Sequence, residues 1–529
     1  MSGNRRETII SILYLIIAFL AGISVAINFL PSKKITPANP QLYKLNEVMN
    51  YIDKYYVDSV DVDSIYNNAI NAILQSLDPH SSYSTPEENK AMMDALSGSF
   101  EGVGIQFNIM NDTVMVISTI SGGPSEKAGV RAGDRIVTVD GKSLIGATND
   151  KVFKLLRGQK GTRVKLGIMR PGFDEVYTYD VKRDVIPTYT VDVAYMFDKQ
   201  TGYIKLNEFG STTAEEFAKA ILKLKQQGMK QLVVDLRGNA GGFLDAAISV
   251  CDELLPNKRE IVSVEGLNVR PKVYYATRKG NFENGKVSIL IDDFSASASE
   301  IVAGAVQDND RGYVVGRRSF GKGLVQRQFD LNDKSTIRLT TARYHTPSGR
   351  CIQRNYKEGS DAYYEELYKR LANGEMESED SIKLDKSEAY KTIGGRTVYG
   401  GGGIMPDYFV PLEQAKNLEG YYEIANTAAM VQYAFHFVTQ QKDVLKKNYP
   451  NARDFIAKYN VSDAQITEIL AYFKKLTKRN APALTAGDRQ ELKQWTKALI
   501  GRNLYGNEAF YPVINSTDKT ILKAIEVMK

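Results

Sequence analysis

VSILIDDFSASASEIVAGAV, residues 287–306 of this 529-residue chain, is the stretch that sets the fold and points to the chemistry. The apolar run at 287–291 predicts a buried strand, and the run at 301–306 predicts a helix. The serine-rich turn Ser295–Glu300 therefore joins a strand to a helix. The first N–H groups of a helix lack partners within it and carry partial positive charge. A serine in this turn lies beside groups that can hold an oxyanion.

A serine hydroxyl becomes a good nucleophile only when a neighbouring base takes its proton. No G-x-S-x-G motif occurs, and histidine is scarce, at positions His80, His345 and His436. The other possible base is Lys322, 25 residues after Ser297 (322 − 297). Burial against apolar neighbours can lower the pKa of a lysine because it penalises the charged form. Gln326, four residues further on, is placed to accept a hydrogen bond from the amine.

Simpler interpretations exist for these residues. Serines at the start of a helix are ordinary N-caps, and an isolated lysine is usually a surface residue. Residues 316–323, GRRSFGKG, also match seven positions of a phosphate-binding Walker A loop. However, Gly323 replaces the Ser or Thr that would bind magnesium, and residues 324–329 alternate like a strand where a phosphate loop needs a helix. Nucleotide binding is therefore disfavoured.

Several motifs together resemble the C-terminal processing peptidases, also called tail-specific proteases. They follow the family's order between about residues 40 and 412, and they are SASEI at 297–301, QD at 307–308, GKGLVQ at 321–326, DLRGNAGG at 235–242, TARYHTPSGR at 341–350 and GGGIMPD at 401–407. The resemblance implies an α/β, crotonase-like peptidase core with an inserted PDZ domain. It also implies a serine-type endopeptidase that recognises its substrates through their C-terminal tails.

The resemblance assigns the catalytic roles to individual residues. It implies that Ser297 is the nucleophile, Lys322 the general base and Gln326 the residue that orients the lysine. No metal or organic cofactor is required by this chemistry. The alternative is a catalytically silent, membrane-anchored PDZ scaffold that only binds peptides. The intact set of three residues argues against that alternative.

Two further features support the chemistry. The N–H of Ala298, together with that of Gly241 or Gly242, is expected to form an oxyanion hole, whereas spacing alone is also compatible with a plain glycine turn. Asp308 matches a position for which the resemblance implies a supporting role. Its simpler interpretation is that it only ends its helix.

Residues 98–184 carry short strand patterns around one helix, which is typical of a small barrel and resembles a PDZ domain. In that family a glycine-containing loop binds the terminal carboxylate of a peptide, which adds a strand to the sheet. The matching loop is Gly102-Val103-Gly104-Ile105, although its spacing also suits a hairpin turn. Arg157 resembles a family arginine that links peptide binding to the active arrangement. Proteins or peptides with accessible C-termini are therefore the expected partners.

The segment Thr8–Leu30 contains 23 uncharged residues, enough to cross a bilayer as a helix. Pairs of basic residues flank both of its ends, so the flanking charge gives little information on orientation. The resemblance implies a periplasmic or extracytoplasmic enzyme, anchored to the inner membrane by this N-terminal helix. A cleaved signal peptide, which would release the enzyme, is the alternative.

The composition disfavours several other classes. A net charge of +6 is modest for 529 residues, and no dense basic block with interleaved aromatics indicates nucleic-acid binding. There is neither a C-x-x-C nor an H-E-x-x-H motif, so no metal site is expected. A disulfide between the two cysteines, Cys251 and Cys351, is disfavoured. His80 lies in a turn-like segment and is interpreted as structural.

Helical periodicity marks both ends of the body. The resemblance implies that the N-terminal arm can mediate a homodimer. The C-terminal tail is compatible with an adaptor-binding surface, a lid or an assembly platform, and the sequence does not choose among these three. The periodicity of residues 451–476 and 488–499 predicts helices, and the charge-dense segment 356–390 predicts an exposed helical insertion or a mobile excursion. We expect five regions, namely a signal anchor or signal peptide at 1–31, an N-terminal helical region at 32–95, a PDZ domain at 96–186, a peptidase core at 187–412 and a C-terminal helical extension at 413–529.

Overall fold

The computed structural model describes residues 40–110, 112–120, 122–170, 173, 175–277, 279–383, 385–412 and 418–529. No helix in these ranges is long and apolar enough to cross a membrane, and the segment Thr8–Leu30 lies outside them. The chain divides into two units after Ala72. The first unit contains helix α1 (Pro40–Tyr55) and most of α2 (Val62–Gln75). Helix α1 exposes several large apolar side chains, namely Leu42, Tyr43, Val48, Tyr51 and Tyr55.

A turn after α2 leads into strand β1 (Ser82–Ser84) and helix α3 (Pro86–Leu96). A capping box fixes the start of α3: the Glu88 N–H donates to the Thr85 hydroxyl (3.3 Å), and the Thr85 N–H donates to the Glu88 carboxylate (2.9 Å). The stretch that was expected to be helical thus contains one short strand. This strand joins a sheet of the core and places the preceding turn beside it.

The next part of the chain is a small antiparallel domain. Its elements are β2 (Ser99–Gly102), β3 (Ile105–Met110), β4 (Thr113–Thr119), α4 (Pro124–Ala128), β5 (Arg135–Val139), β6 (Lys142–Ser143), α5 (Asn149–Leu156), β7 (Arg163–Met169), β8 (Val176–Lys182) and β9 (Asp184–Pro187). The main sheet has the order β3-β4-β5-β7-β8, with β6 beside β5, and β2 pairs with β9. Val164, Leu166 and Ile168 of β7 are buried, and the alternation with polar residues fits a sheet that covers a core with one face.

The largest part of the chain is an α/β core. Its elements are β10 (Val191–Met196), β11 (Thr201–Leu206), α6 (Thr213–Gln226), β12 (Gln231–Asp235), α7 (Leu244–Leu254), β13 (Glu260–Gly266), β14 (Val269–Tyr275), β15 (Lys286–Ile291), α8 (Ala298–Asp308), β16 (Tyr313–Gly316), β17 (Leu324–Asp330), β18 (Thr336–His345), α9 (Ser360–Ala372), β19 (Ala389–Lys391), β20 (Thr397–Tyr399) and β21 (Tyr408–Phe409). One sheet has the order β10-β11-β12-β15-β16-β21 and is parallel except for β10. A second, antiparallel sheet has the order β1-β18-β13-β14, with β17 also paired to β18, and β19 pairs with β20.

The predicted strand, turn and helix at 287–306 are present as β15, a turn and α8. Strand β15 is buried from Val287 to Ile291, and every residue of α8 is buried. A continuous apolar run of this kind is typical of a parallel strand covered on both faces. The predicted strand after Lys322 is β17, so no helix follows the glycine-rich segment there. Both cysteines are free thiols, as the sequence favoured.

The helix expected within 356–390 is present as α9, but it is exposed on one face only. This helix buries Tyr363 and Arg370, each with only 2% of its surface exposed. Some of its charges are paired within the fold, because Glu366 forms ion pairs with both Arg354 and Arg370. The charges of α9 therefore serve two surfaces: Glu366 and Arg370 belong to an ion-pair network within the fold, whereas Glu365 and Lys369 are exposed.

The C-terminal extension consists of helices, α10 (Glu419–Ala425), α11 (Ala429–Asn448), α12 (Ala452–Lys458), α13 (Asp463–Thr477), α14 (Ala486–Tyr505), α15 (Asn507–Asn515) and α16 (Lys519–Val527). The helix predicted at 451–476 is divided into α12 and α13, because Ser462 caps α13 in a box with Gln465. Helix α16 lies against the parallel sheet, where Ile521, Ala524 and Ile525 share one apolar cluster with Tyr203, Val233 and Leu290.

Candidate active site

Ser297 occupies the turn between β15 and α8 with φ +55° and ψ −111°, a conformation that residues other than glycine rarely adopt. Neighbouring groups hold this turn against the loop that follows β12. The Ala296 N–H and the Ser299 hydroxyl both donate to the Asn239 carbonyl oxygen, at 3.0 and 2.8 Å. The surrounding structure thus maintains a strained serine at the head of a buried helix, as is common at functional sites.

Glu300, in the first turn of α8, connects the serine turn to the lysine segment. Its buried carboxylate accepts hydrogen bonds from the N–H groups of Ser297 (2.8 Å), Lys322 (2.9 Å) and Gly321 (2.7 Å), and from the Ser319 hydroxyl (2.5 Å). Burial raises the pKa of Glu300, and these hydrogen bonds oppose that shift. The sequence analysis did not assign Glu300 a role. Its position three residues after a helix N-cap was the available signal.

The Lys322 side chain is half-buried, and its Nζ donates to Gln326 Oε1 at 3.2 Å. Burial lowers the pKa of Lys322 and the positive charge of Arg338 lowers it further, whereas the carboxylates of Asp78 and Glu300 raise it. A lowered pKa increases the fraction of neutral amine near neutral pH. The neutral amine is the form that can take a proton from a hydroxyl.

Gln326 is itself held in place, since its Nε2 donates to the backbone oxygen of His80. The His80 ring packs edge-on against Tyr363, with ring centroids 5.2 Å apart and 3.0 Å between Nε2 and the tyrosine hydroxyl. Burial and the charge of Lys322 lower the pKa of His80 to about 3, so the ring is neutral at physiological pH. His80 thus contacts Gln326 through its carbonyl oxygen, while its imidazole contacts Tyr363.

Gly241 and Gly242 lie against the serine turn. A Cβ on Gly241 would lie 2.9 Å from the Cβ of Ser297 and 3.0 Å from the nitrogen of Ala298, so the position requires glycine. The two glycines differ in their N–H groups. The Gly241 N–H donates to the Asn239 side chain (2.9 Å). Within the described ranges, neither the Gly242 N–H nor the Ala298 N–H has a hydrogen-bond acceptor.

The structure brings the predicted catalytic and oxyanion-hole residues to one cavity of about 600 Å³. Side chains of α3 and β17 supply apolar walls. The lining includes Ser297, Ala298, Gly241, Gly242, Lys322, Gln326, Met92, Leu96, Leu324 and Val325. A hydroxyl, an amine with a lowered pKa and two backbone N–H groups thus face the same space.

Asp308 is buried at the end of α8 and is not among the residues that line this cavity. Its carboxylate forms an ion pair with the equally buried Arg350 (2.8 Å) and accepts a hydrogen bond from the Ser348 hydroxyl (2.7 Å). These contacts fasten the turn after β18 to the end of α8. Asp308 therefore does more than end its helix.

The glycine-containing loop of the antiparallel domain lies apart from the cavity. Gly102 is the last residue of β2 and Ile105 the first of β3, so the loop itself consists of Val103 and Gly104. Gly104 has φ +72°, which favours glycine. The Val103 carbonyl accepts a hydrogen bond from the Ser125 N–H (3.0 Å), which ties the loop to α4.

Arg157 follows α5 and connects this domain to α3. Its guanidinium donates to the Ala91 carbonyl (3.2 Å) and lies over the rings of Phe100 and Phe153, at 5.1 and 5.4 Å from their centroids. A second cavity of about 600 Å³ lies here, and residues of α3, α5 and Arg157 line it. Helix α3 therefore contributes to both cavities.

Comparisons with known proteins agree with this architecture. Residues 200–359 match the model of "Peptidase family S41", residues 116–170 match "PDZ domain", and residues 420–506 match "Family of unknown function (DUF8443)". The chain is 39% identical over 349 residues to the carboxy-terminal-processing protease of Bartonella bacilliformis, which covers 64% of this chain and 80% of the relative. It is 35% identical over 328 residues to the carboxy-terminal processing protease CtpA of Bacillus subtilis, with coverages of 62% and 70%.

Among solved structures, the photosystem II D1 C-terminal processing protease is 32% identical, with a TM-score of 0.36, and the match covers 59% of this chain and 83% of that one. The fold and the matched models define the class, a serine peptidase with an α/β core, a PDZ domain and a helical C-terminal region. The chain belongs to the carboxy-terminal processing proteases of peptidase family S41. Family membership decides in favour of a serine-type endopeptidase and against the silent scaffold.

Proposed function

We propose that this peptidase uses Ser297 as nucleophile, Lys322 as general base and Gln326 to orient the lysine. The observation that carries this proposal is the amine of Lys322, which has a lowered pKa, is hydrogen-bonded to Gln326 and shares one cavity with Ser297. In the first step the neutral amine takes the proton of the Ser297 hydroxyl, and the oxygen attacks the scissile carbonyl carbon. The resulting ammonium then gives its proton to the leaving nitrogen.

The first half of the reaction leaves an acyl-enzyme, in which the substrate is joined to Ser297 by an ester. The same groups then hydrolyse this ester. Lys322 takes a proton from water, the hydroxide attacks the ester carbonyl, and the ammonium returns the proton to Ser297. The oxyanion of each tetrahedral intermediate is held by the N–H groups of Ala298 and Gly242. Gly242 is preferred to Gly241 because the Gly241 N–H is already bonded to a side chain. A donor of this kind contributes about 3 kcal/mol of transition-state stabilisation.

We also propose that substrates are proteins or peptides with accessible C-termini. The loop Gly102–Ile105 is the proposed contact for the terminal carboxylate, and an extended tail would add to β3. Arg157, which is hydrogen-bonded to α3, would couple the binding of a peptide at this loop to the arrangement of the catalytic cavity. Asp308 would support the site from a distance through Arg350.

The location and the assembly of the enzyme are part of the same proposal. An extracytoplasmic enzyme held by the segment Thr8–Leu30 is supported by the length of this uncharged segment and by the bacterial relatives. The exposed apolar side chains of α1 support a homodimer through this helix, because a row of such side chains is usually covered by a partner. Light scattering of the wild-type chain and of a Tyr51→Glu variant would test the dimer, and an unchanged mass would refute it.

The proposed mechanism is tested with Ser297→Ala and Lys322→Met in the full chain, with Ser249→Ala as a matched control. Ser249 lies on α7 with an exposed hydroxyl bonded within its own helix. The substrate is an unstructured protein with an apolar C-terminal tail, and its cleavage is followed by mass spectrometry. We expect no detectable cleavage by the two site variants and wild-type rates for the control. Cleavage by Ser297→Ala at the wild-type rate would eliminate the proposed nucleophile.

A further inference from the structure

The catalytic cavity contains a positively charged residue that the mechanism does not use. Arg338 of β18 lines the cavity together with Ser297 and Lys322. It lies across from Ser82 of β1 and Gln328 of β17, between two neighbouring strands. Its position is therefore fixed by the central strand of the second sheet.

The guanidinium of Arg338 lacks a carboxylate partner in the described part of the chain. Its only hydrogen-bond contact there is the thioether sulfur of Met92, which is a weak acceptor for a group with five N–H donors. Two other buried or half-buried arginines are paired with carboxylates, Arg350 with Asp308 and Arg170 with Asp134. A half-buried charge without a counter-ion is unfavourable. Arg338 thus presents unpaired donors to the space in which the scissile bond must lie.

We propose that Arg338 binds a carboxylate group of the substrate close to the scissile bond and thereby determines cleavage specificity. This inference rests on the proposed function of the same cavity. A guanidinium pairs with a carboxylate through two parallel hydrogen bonds, which gives both strength and orientation. Met92 is the residue that a bound carboxylate would displace from the guanidinium. Two sources supply such a group, an acidic side chain beside the bond or the C-terminal carboxylate of a chain that is cleaved near its end.

Two arms of one experiment separate these sources. Peptides of a single sequence are prepared with Glu or Gln at each position within three residues of the cleaved bond, and each is made with a free or an amidated C-terminus. Cleavage by the full-length wild-type protein is measured as kcat/KM. A hydrogen-bonded charge pair corresponds to a preference of about 10- to 100-fold. We expect this preference for Glu over Gln at one position, or for the free over the amidated terminus of short peptides.

The variants Arg338→Met and Arg338→Lys assign that preference to the residue. Arg338→Met is expected to lose the discrimination, mainly by slowing the cleavage of the acidic peptides. Arg338→Lys is expected to retain part of it because the charge is kept. Arg327→Met is the control, since Arg327 lies on the adjacent β17 with its side chain exposed and outside the cavity. If Arg338 acts only through Lys322, Arg338→Met will slow the cleavage of all peptides equally, and that result would overturn the proposal.

The wild-type comparison keeps the inference falsifiable even if Arg338→Met does not fold. Wild-type rates that agree within about threefold for all peptide pairs would refute it, because no charged pair would then be formed. A failure of the proposed function gives a different result. In that case Ser297→Ala would still cleave the peptides, whereas a failure of this inference alone leaves cleavage dependent on Ser297 and indifferent to substrate charge.

Discussion

Replacing Glu300 by Gln tests whether this buried carboxylate positions the catalytic groups. The amide keeps the shape of the side chain, but its NH₂ end can no longer accept hydrogen bonds. The least costly arrangement turns that end towards Ser319, whose hydroxyl can accept, and leaves the Gly321 N–H without a partner. An unpaired buried N–H costs about 1–3 kcal/mol. The bonds from the Ser297 and Lys322 N–H groups, which now end on a neutral oxygen, weaken by about 1 kcal/mol each.

Part of this loss is offset, because removing the buried charge relieves the desolvation that raises the pKa of Glu300. We therefore expect Glu300→Gln to destabilise the fold by about 2–4 kcal/mol. The effect on catalysis should be larger than the loss of folded protein explains. A shift of the reacting groups by about 1 Å can cost about 100-fold in rate, so we expect kcat to fall by about that factor while KM changes little.

The control is Glu253→Gln, which also removes a buried carboxylate. Glu253 accepts hydrogen bonds from the backbone and the side chain of Asn281, away from the cavity. Thermal unfolding and kcat at saturating peptide are measured for both variants at a temperature where each is folded. Both should melt earlier than the wild type, but only Glu300→Gln should lose kcat. A folded Glu300→Gln enzyme with wild-type kcat would refute the positioning role.

Three further predictions concern the neighbouring elements. Gly241→Ala places a methyl group 2.9 Å from the backbone of the serine turn and should abolish cleavage. Gly141→Ala, at a position with φ +76° and open space outside the cavity, should cost about 1–2 kcal/mol of stability and keep activity in the peptide assay. Asp518→Asn removes the ion pair to Arg237 (2.8 Å), but Arg237 keeps its ion pair with the buried Asp235 (2.6 Å), so the loss measured by thermal unfolding should be about 1 kcal/mol. The neutral amine of Lys322 is the active form, so kcat/KM should rise with pH through an apparent pKa below the ordinary value of 10.5; a rise centred at or above that value would contradict the assignment.

The sequence predicted those parts of the site that depend on local patterns. The apolar run of β15, the serine turn and α8 follow one another directly, so their order alone defined the turn. The hydrogen bond between Lys322 and Gln326 joins residues only four positions apart. The role of Glu300 could not be predicted in this way. The carboxylate of Glu300 accepts hydrogen bonds from two chain segments, at Ser297 and at Gly321, that meet only in the folded protein. In addition, a glutamate at the start of a helix is common for other reasons.

The two departures from prediction in the helical regions have different causes. In α9, charge density indicated exposure, but the ion pair between Glu366 and Arg370 offsets part of the cost of burial and allows one face of the helix to lie within the fold. In the C-terminal extension, apolar periodicity continued across the end of α12. The Ser462 and Gln465 capping box was visible in the sequence and marks the break. Capping signals therefore deserve more weight than periodicity where a predicted helix is long.

The contribution of the last helix follows from the requirement that a parallel sheet be covered on both faces. One face of the sheet packs against α7 and α8, as the shared apolar cluster shows. On the other face, Tyr203, Val233 and Leu290 pack against Ile521, Ala524 and Ile525 of α16. The amine of Lys286, the first residue of β15, also donates to the Lys529 carbonyl (3.0 Å), and this bond holds Lys529 beside the start of the strand. Helix α16 is thus part of the hydrophobic core beneath the strand that carries the serine turn, although more than 200 residues separate the two segments in sequence (519 − 291 = 228).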